Sequence, residues 1–255
     1  MTRTLLFAGA LTALLVGLAS AAQPAIPRYI AKAVADPKRP ETDRSRDADR
    51  KPAECLAFAG VKPGEQVVEL IPGSGYFTRL LSDIVGPKGK VYAVAPPRRP
   101  NAPADRPDPA AAVQAIAGDP HYSNVVVMVG KFSDLGLPKG VDLVWTSQNY
   151  HDFHNIPSLS VLDLDKAVFA SLKPGGIYLV LDHSAEQGSG FRDTSTLHRI
   201  DEEAVKKEVM LAGFEFLGES QALRNPNDPR TAKVFDPSIR GKTDQFILKF
   251  RKPPK

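Results

Sequence analysis

A chain of 255 residues that is 42% hydrophobic is long enough to bury one sizeable core. Its 33 basic and 29 acidic residues leave a net charge of only +4, and the basic ones are scattered, so a nucleic-acid surface has little support. The single cysteine, Cys55, excludes an internal disulfide, so stability must come from packing.

The chain opens with Arg3, an uncharged apolar run from Leu5 to Leu18, and the small residues Ala19-Ser20-Ala21-Ala22. The run is shorter than the roughly 20 residues of a bilayer span, and the order of features is that of a secretory signal. A signal peptide over residues 1–22 is therefore expected. Export follows, with a bacterial periplasm as destination and no stable membrane span after cleavage. Cys55 lies too far from the cleavage site for a lipid anchor there. Residues 23–52 are expected to form an N-terminal arm, whose stretch Lys38 to Lys51 mixes both signs as a solvated segment does. Residues 53–255 are left for one α/β domain.

Val67 to Ile71 reads as a buried strand, followed by a turn at Pro72 to Gly75. Tyr76, Phe77, Leu80, Leu81 and Ile84 then keep helical spacing, and Gly86-Pro87 stops the helix. Strand, glycine turn and helix form the entry unit of a nucleotide-binding sheet, where bare backbone and free N–H groups face a ligand. Glu69 sits near the strand's end. Thr78 stands where a dinucleotide site has its third glycine, no Walker lysine follows, and Gly73-Ser74-Gly75 is too short for a hydrolase elbow.

Downstream the elements alternate. Strands are expected at Lys90 to Ala95, Val125 to Val129, Val141 to Thr146, Ile177 to Leu181, Phe214 to Gly218 and Gln245 to Phe250. A proline-rich loop, Pro96 to Pro107, precedes a short helix started by Asp108-Pro109 and ending near Gly118. A second helix runs from Leu159 to Leu172 and is closed by Lys173-Pro174-Gly175-Gly176. A third is capped by Asp201 and ends at Ala212-Gly213.

The Glu69 to Gly75 segment resembles the first motif of the class I S-adenosylmethionine-dependent methyltransferases, and Leu172 to Gly176 is similar to the segment before that family's fifth strand. Glu69 to Gly75, Asn149 to Asp152, Leu197 to Asp201 and Phe235 to Asp244 together resemble an exported bacterial group described as predicted methyltransferases. The resemblance implies an α/β, Rossmann-like, doubly wound sheet of seven strands whose last strand is antiparallel. It also implies S-adenosyl-L-methionine as cofactor, held by Glu69, Pro72, Gly73, Ser74, Gly75, Phe77 and Ala95. Two positions depart from the superfamily pattern. Ile71 replaces the first glycine, and Val94-Ala95-Pro96 ends the second strand without an acidic acceptor for the ribose.

Chemistry is expected where the strands' carboxyl ends open into a crevice. There His151 is the candidate base, with Asn149 and Tyr150 as acceptor-positioning groups. His183, His198 and Arg199 are candidates for substrate binding. His183 also has a structural reading, because neighbouring strand residues point to opposite faces and Asp182 need not be its partner. The crevice walls are expected from the arm, the Pro96 to Pro107 loop and the Gln187 to Thr196 loop. Arg240 and Asp244 are expected to pair. His151, Asp152, His154, Asp182 and His183 offer metal-ligand types, but no pair has recognised zinc spacing, so no metal is assigned. Two function classes follow. One is methyl transfer to a small-molecule acceptor, and the other is an exported binding or scaffold protein on the same fold that has lost its cofactor.

Overall fold

Apolar residues on successive strand positions serve opposite faces of the sheet, and that alternation builds two cores. Val67, Trp145 and Leu179 join one apolar cluster, while their neighbours Val68, Val144 and Val180 join the other. The computed structural model describes residues 25–254. The expected signal peptide over residues 1–22 lies outside the described residues.

Four short helices come first: α1 (Arg28–Val34), α2 (Glu41–Arg44), α3 (Asp47–Arg50) and α4 (Pro52–Ala59). The sheet then begins with β1 (Gln66–Leu70), α5 (Tyr76–Val85), β2 (Lys90–Ala95), α6 (Ala111–Ala117) and β3 (Val125–Val129). Next come β4 (Val141–Ser147), α7 (Tyr150–Phe153), α8 (Val161–Ser171) and β5 (Leu172–His183). The chain finishes with α9 (Glu202–Leu211), β6 (Glu215–Ser220) and β7 (Gln245–Arg251). The strand order is β3-β2-β1-β4-β5-β7-β6, and β7 runs antiparallel to both of its neighbours. This is the expected doubly wound sheet. Its topological switch falls between β1 and β4, where connections leave in opposite directions and a crevice must open. Among the described residues, no helix is long and apolar enough to cross a membrane.

Three expectations are corrected here. The charged arm is solvated only in part, because two of its charges are buried. Arg39 is almost fully buried and forms a two-pronged pair with Asp47 at 2.7 and 2.8 Å, and Asp43 pairs with Arg79 at 2.9 Å. The Tyr76 hydroxyl donates to Asp47 at 2.6 Å, so the mixed charges tie the arm onto the start of α5. The Lys173 to Gly176 segment does not end a helix but is drawn into β5. Leu172 pairs with Val141, the register shifts, and pairing resumes at Leu143 with Ile177. Gly175, at φ 78°, makes that irregularity possible. Finally, Asp244 pairs with Arg230 at 2.8 Å and faces Arg224 at 3.6 Å, so Arg240 is not its partner.

Candidate functional site

The β1–α5 turn forms as its residues require. Gly73 and Gly75 adopt φ 57° and 79°, and Ile71 adopts φ 51°, a left-handed conformation that is strained for a β-branched side chain. The Ile71 N–H donates to Val94 O, and Asn149 Nδ2 donates to Ile71 O at 3.0 Å and to Ser147 O at 2.6 Å. Asn149 thus ties the end of β4 to the turn after β1, which holds the crevice at the switch point.

A cavity of about 200 Å³ lies on one side of this turn, lined by Glu69, Gly73, Phe77, Asn149 and two arginines of the arm, Arg46 and Arg50. A second, of about 650 Å³, lies on the other side against Pro96, Pro107, Asp108 and Ala111. Ile71, Pro72, Gly73 and Ser74 border both. Taken together the two spaces reach the size range of small-molecule sites. A Cβ at Gly73 would meet nothing within 4 Å, so this backbone is bare toward the opening. Gly75 is different, because a Cβ there would collide with the Ile116 side chain. Its role is close packing of α6, not ligand contact. Ala95 is fully buried and borders neither cavity, so its side chain cannot make the expected cofactor contact; its neighbour Pro96 lines the larger cavity.

Electrostatics concentrate on the smaller cavity. Glu69 is buried and accepts a 2.5 Å hydrogen bond from Thr78 Oγ1. Burial pushes its carboxyl up to about 7, against the opposing pull of that bond and of Arg50. The Arg50 guanidinium lies 4.2 Å from the Tyr76 ring centre and 5.1 Å from that of Phe77, and it donates to Gln148 Oε1 at 3.2 Å. Burial, then repulsion from Arg46, lowers it to about 10. Two guanidiniums facing one small cavity make a site for a carboxylate.

Along the same strand ends, β4 and β5 bring together residues far apart in sequence. His151 Nδ1 lies 2.8 Å from Asp182 Oδ1, and the His151 backbone N–H donates to Asp182 Oδ2 at 2.8 Å. Asp182 is fully buried. Burial alone would raise it, yet His151 and the hydrogen bonds hold it below the ordinary aspartate value. Burial likewise pulls His151 down, but Asp182 wins and its net shift is upward. The Nδ1 proton therefore belongs to the Asp182 bond, which leaves the Nε2 lone pair facing Asp152 and His198.

The other candidates separate. Tyr150 is fully buried and donates to Asp165 at 2.7 Å and Glu208 at 2.9 Å, so it points away from any acceptor. Arg199 is fully buried and is held by Asp228 at 2.8 and 3.1 Å and by Ser184 O and Ala232 O. It fixes the loop before α9 and is not a substrate ligand. His183 bonds Thr243 Oγ1 at 2.8 Å, and burial pushes it down to about 4, which fits the structural reading. His198 remains partly open. The Gln187 to Thr196 loop is tied down where Gly188 and Gly190 donate to Asp201.

Sequence reasoning missed Arg46, Arg50 and Asp108. The arginines looked like part of a solvated charge run. Asp108 looked like a helix cap, and it does accept from Ala110 N at 2.8 Å, but α6 starts only at Ala111 and the carboxylate borders the larger cavity.

No family model and no curated protein matches the sequence. Solved structures do match the fold. A SAM-dependent methyltransferase from Aquifex aeolicus superposes with a TM-score of 0.58 at 18% identity, covering 87% of this chain and 97% of that one. Fibrillarin from Aeropyrum pernix, with natively bound S-adenosyl-L-methionine, gives 0.51 at 18% identity over 80% and 76% of the two chains. The (4+2)-cyclase SpnF gives 0.59 at 18% identity over 82% of each chain. This chain has the class I methyltransferase fold.

Proposed function

We propose that this protein is an S-adenosylmethionine-dependent methyltransferase acting on a small acceptor with an ionisable O–H or N–H group. The observation that carries this reading is the bare Gly73 turn at the sheet's switch point, with arginines on one side and an acidic residue on the other. The residues present suit the cofactor. Arg46 and Arg50 would take its carboxylate, Glu69 its ammonium group, and Asp108 the ribose hydroxyls that no residue at the end of β2 can bind. A neighbour of the same fold with natively bound S-adenosyl-L-methionine supports the assignment.

The bound cofactor supplies an electrophilic methyl group. This chain supplies the rest. Asn149 fixes the crevice rim, and the His151 Nε2 lone pair takes the acceptor's proton while Asp182 holds the ring and stabilises the imidazolium. A non-catalytic binding or scaffold protein that has lost cofactor binding is the second reading. It is favoured by Ile71, whose strained backbone places a branched side chain on both cavities.

Thermal melting separates the two. S-adenosylmethionine at a hundred times its dissociation constant adds about 2.7 kcal/mol. That should raise the wild-type midpoint by about 5–10 °C. Gly73→Val fills the crevice and should lose the rise, measured from its own baseline, while Asp108→Ala should reduce it. No rise in the wild type would leave the second reading, and an equal rise in Gly73→Val would place the ligand elsewhere.

A further inference from the structure

We propose that His151, Asp152 and His198 form a binding site for one divalent first-row transition-metal ion, of the zinc, iron or manganese class, on the open side of the β4–β5 strand ends. One carboxylate oxygen stands between two imidazoles. Asp152 Oδ1 lies 3.4 Å from His151 Nε2 and 3.8 Å from His198 Nδ1, and the three ligand atoms lie within 4.8 Å of one another. These spacings are long for charge-assisted hydrogen bonds, which close to about 2.7–2.9 Å. The 3.4 Å pair matches two ligands on one zinc ion, since bonds of about 2.0–2.1 Å at a tetrahedral angle put donor atoms about 3.3 Å apart, and His198 would close by about half an ångström to join them.

A second observation points the same way. Metal-bound histidines donate their other ring N–H to a carboxylate, which fixes the tautomer and aims the lone pair. Fully buried Asp182 does this for His151 at 2.8 Å and is itself held by the backbone N–H groups of His151 and His183. His198 is placed from the opposite side. Its backbone is left-handed at φ 55°, between Leu197, whose carbonyl accepts from Val234 N, and Arg199, which is locked to Asp228. Its ring packs on the rings of His151 and Phe235.

Side-chain exposures of 43% for Asp152 and 33% for His198, against 3% for His151, put the open coordination positions toward solvent. Three protein ligands plus open positions are the pattern of a reactive site, not a structural one. Two nitrogens and one carboxylate favour zinc, iron or manganese over calcium or magnesium. The cluster of His121, Asp36 and Asp83 contrasts with it. Its contacts are 2.9 and 3.1 Å, hydrogen-bond lengths, and Lys38 Nζ lies 3.3 Å from His121 Nδ1, so both ring nitrogens already face partners. An ion on His151 Nε2 would take over acceptor activation by lowering the pKa of a bound hydroxyl. That consequence rests on the methyl-transfer reading; the metal site does not.

The test uses zinc alone, titrated calorimetrically into untagged, chelator-stripped protein, with cobalt(II) as a spectroscopic substitute. A single ion per chain is expected, with visible cobalt absorption from a nitrogen and oxygen ligand field. Asp152→Asn and His198→Gln, both at partly open positions, should each lower affinity at least tenfold with unchanged circular dichroism. Asp182→Asn should lower it about 10–100-fold. His121→Gln should bind as the wild type does. No uptake at about 100 μM zinc, undiminished uptake in His198→Gln, or loss in His121→Gln would overturn the proposal. No S-adenosylmethionine is present, so the result is independent of the cofactor reading.

Discussion

His151→Ala is expected to cut methyl transfer by about 10²–10⁴-fold, the usual contribution of a positioned general base, while cofactor affinity stays within a few-fold. The imidazole is buried, its Nδ1 is committed to Asp182, and Nε2 is the ring nitrogen left to act on an acceptor, directly or through a bound ion. Asp182→Asn should fall toward the same rate, because an amide neither fixes the tautomer nor stabilises the imidazolium. A full-rate His151→Ala variant would remove this residue from the chemistry. In chelator-treated protein the rate should rise with pH through a value above the ordinary histidine pKa, because Asp182 favours the protonated ring and only the neutral ring accepts a proton. Stability runs the other way. The raised folded-state pKa contributes fully below the unfolded value, and its contribution is lost as pH climbs through the folded one.

Arg50→Met should weaken S-adenosylmethionine binding by about tenfold to a hundredfold, corresponding to the roughly 1.5–3 kcal/mol of a hydrogen bond to a charged group. Methionine keeps an apolar stem and removes the guanidinium, together with its contacts over the Tyr76 and Phe77 rings. The same change should leave affinity for methylthioadenosine, which lacks the carboxylate, within a few-fold. Equal losses for both ligands would mean that Arg50 shapes the cavity instead of reading the carboxylate.

The strands were legible as short apolar runs; β1 and β4 are buried on both faces, while the edge strand β3 is partly exposed. Lys90–Ala95 and Val125–Val129 were read with the observed bounds, and the β1–α5 unit was plain from Val67, Gly73 and the helical spacing after it. The partnership of charges was not legible. His151 and Asp182 were both placed at the crevice, but only the adjacency of β4 and β5 pairs them, and Asp182 had been considered beside His183. Tyr150 failed because α7 turns it inward to Asp165, a contact no local pattern encodes. Arg46 and Arg50 were hidden in a charge run that looks solvated until Arg39, Asp43 and Asp47 anchor the arm on α5. The proposed metal site was not legible either, because His198 meets His151 and Asp152 only through the fold, from the loop before α9.

The central claim is that the paired cavities around Gly73 receive S-adenosylmethionine. Calorimetric titration of the protein with S-adenosylmethionine, repeated with S-adenosylhomocysteine, addresses it most directly. Saturable heat at one site per chain is expected for both ligands, with affinity tighter than millimolar. Absence of heat with both ligands at millimolar concentration would contradict it.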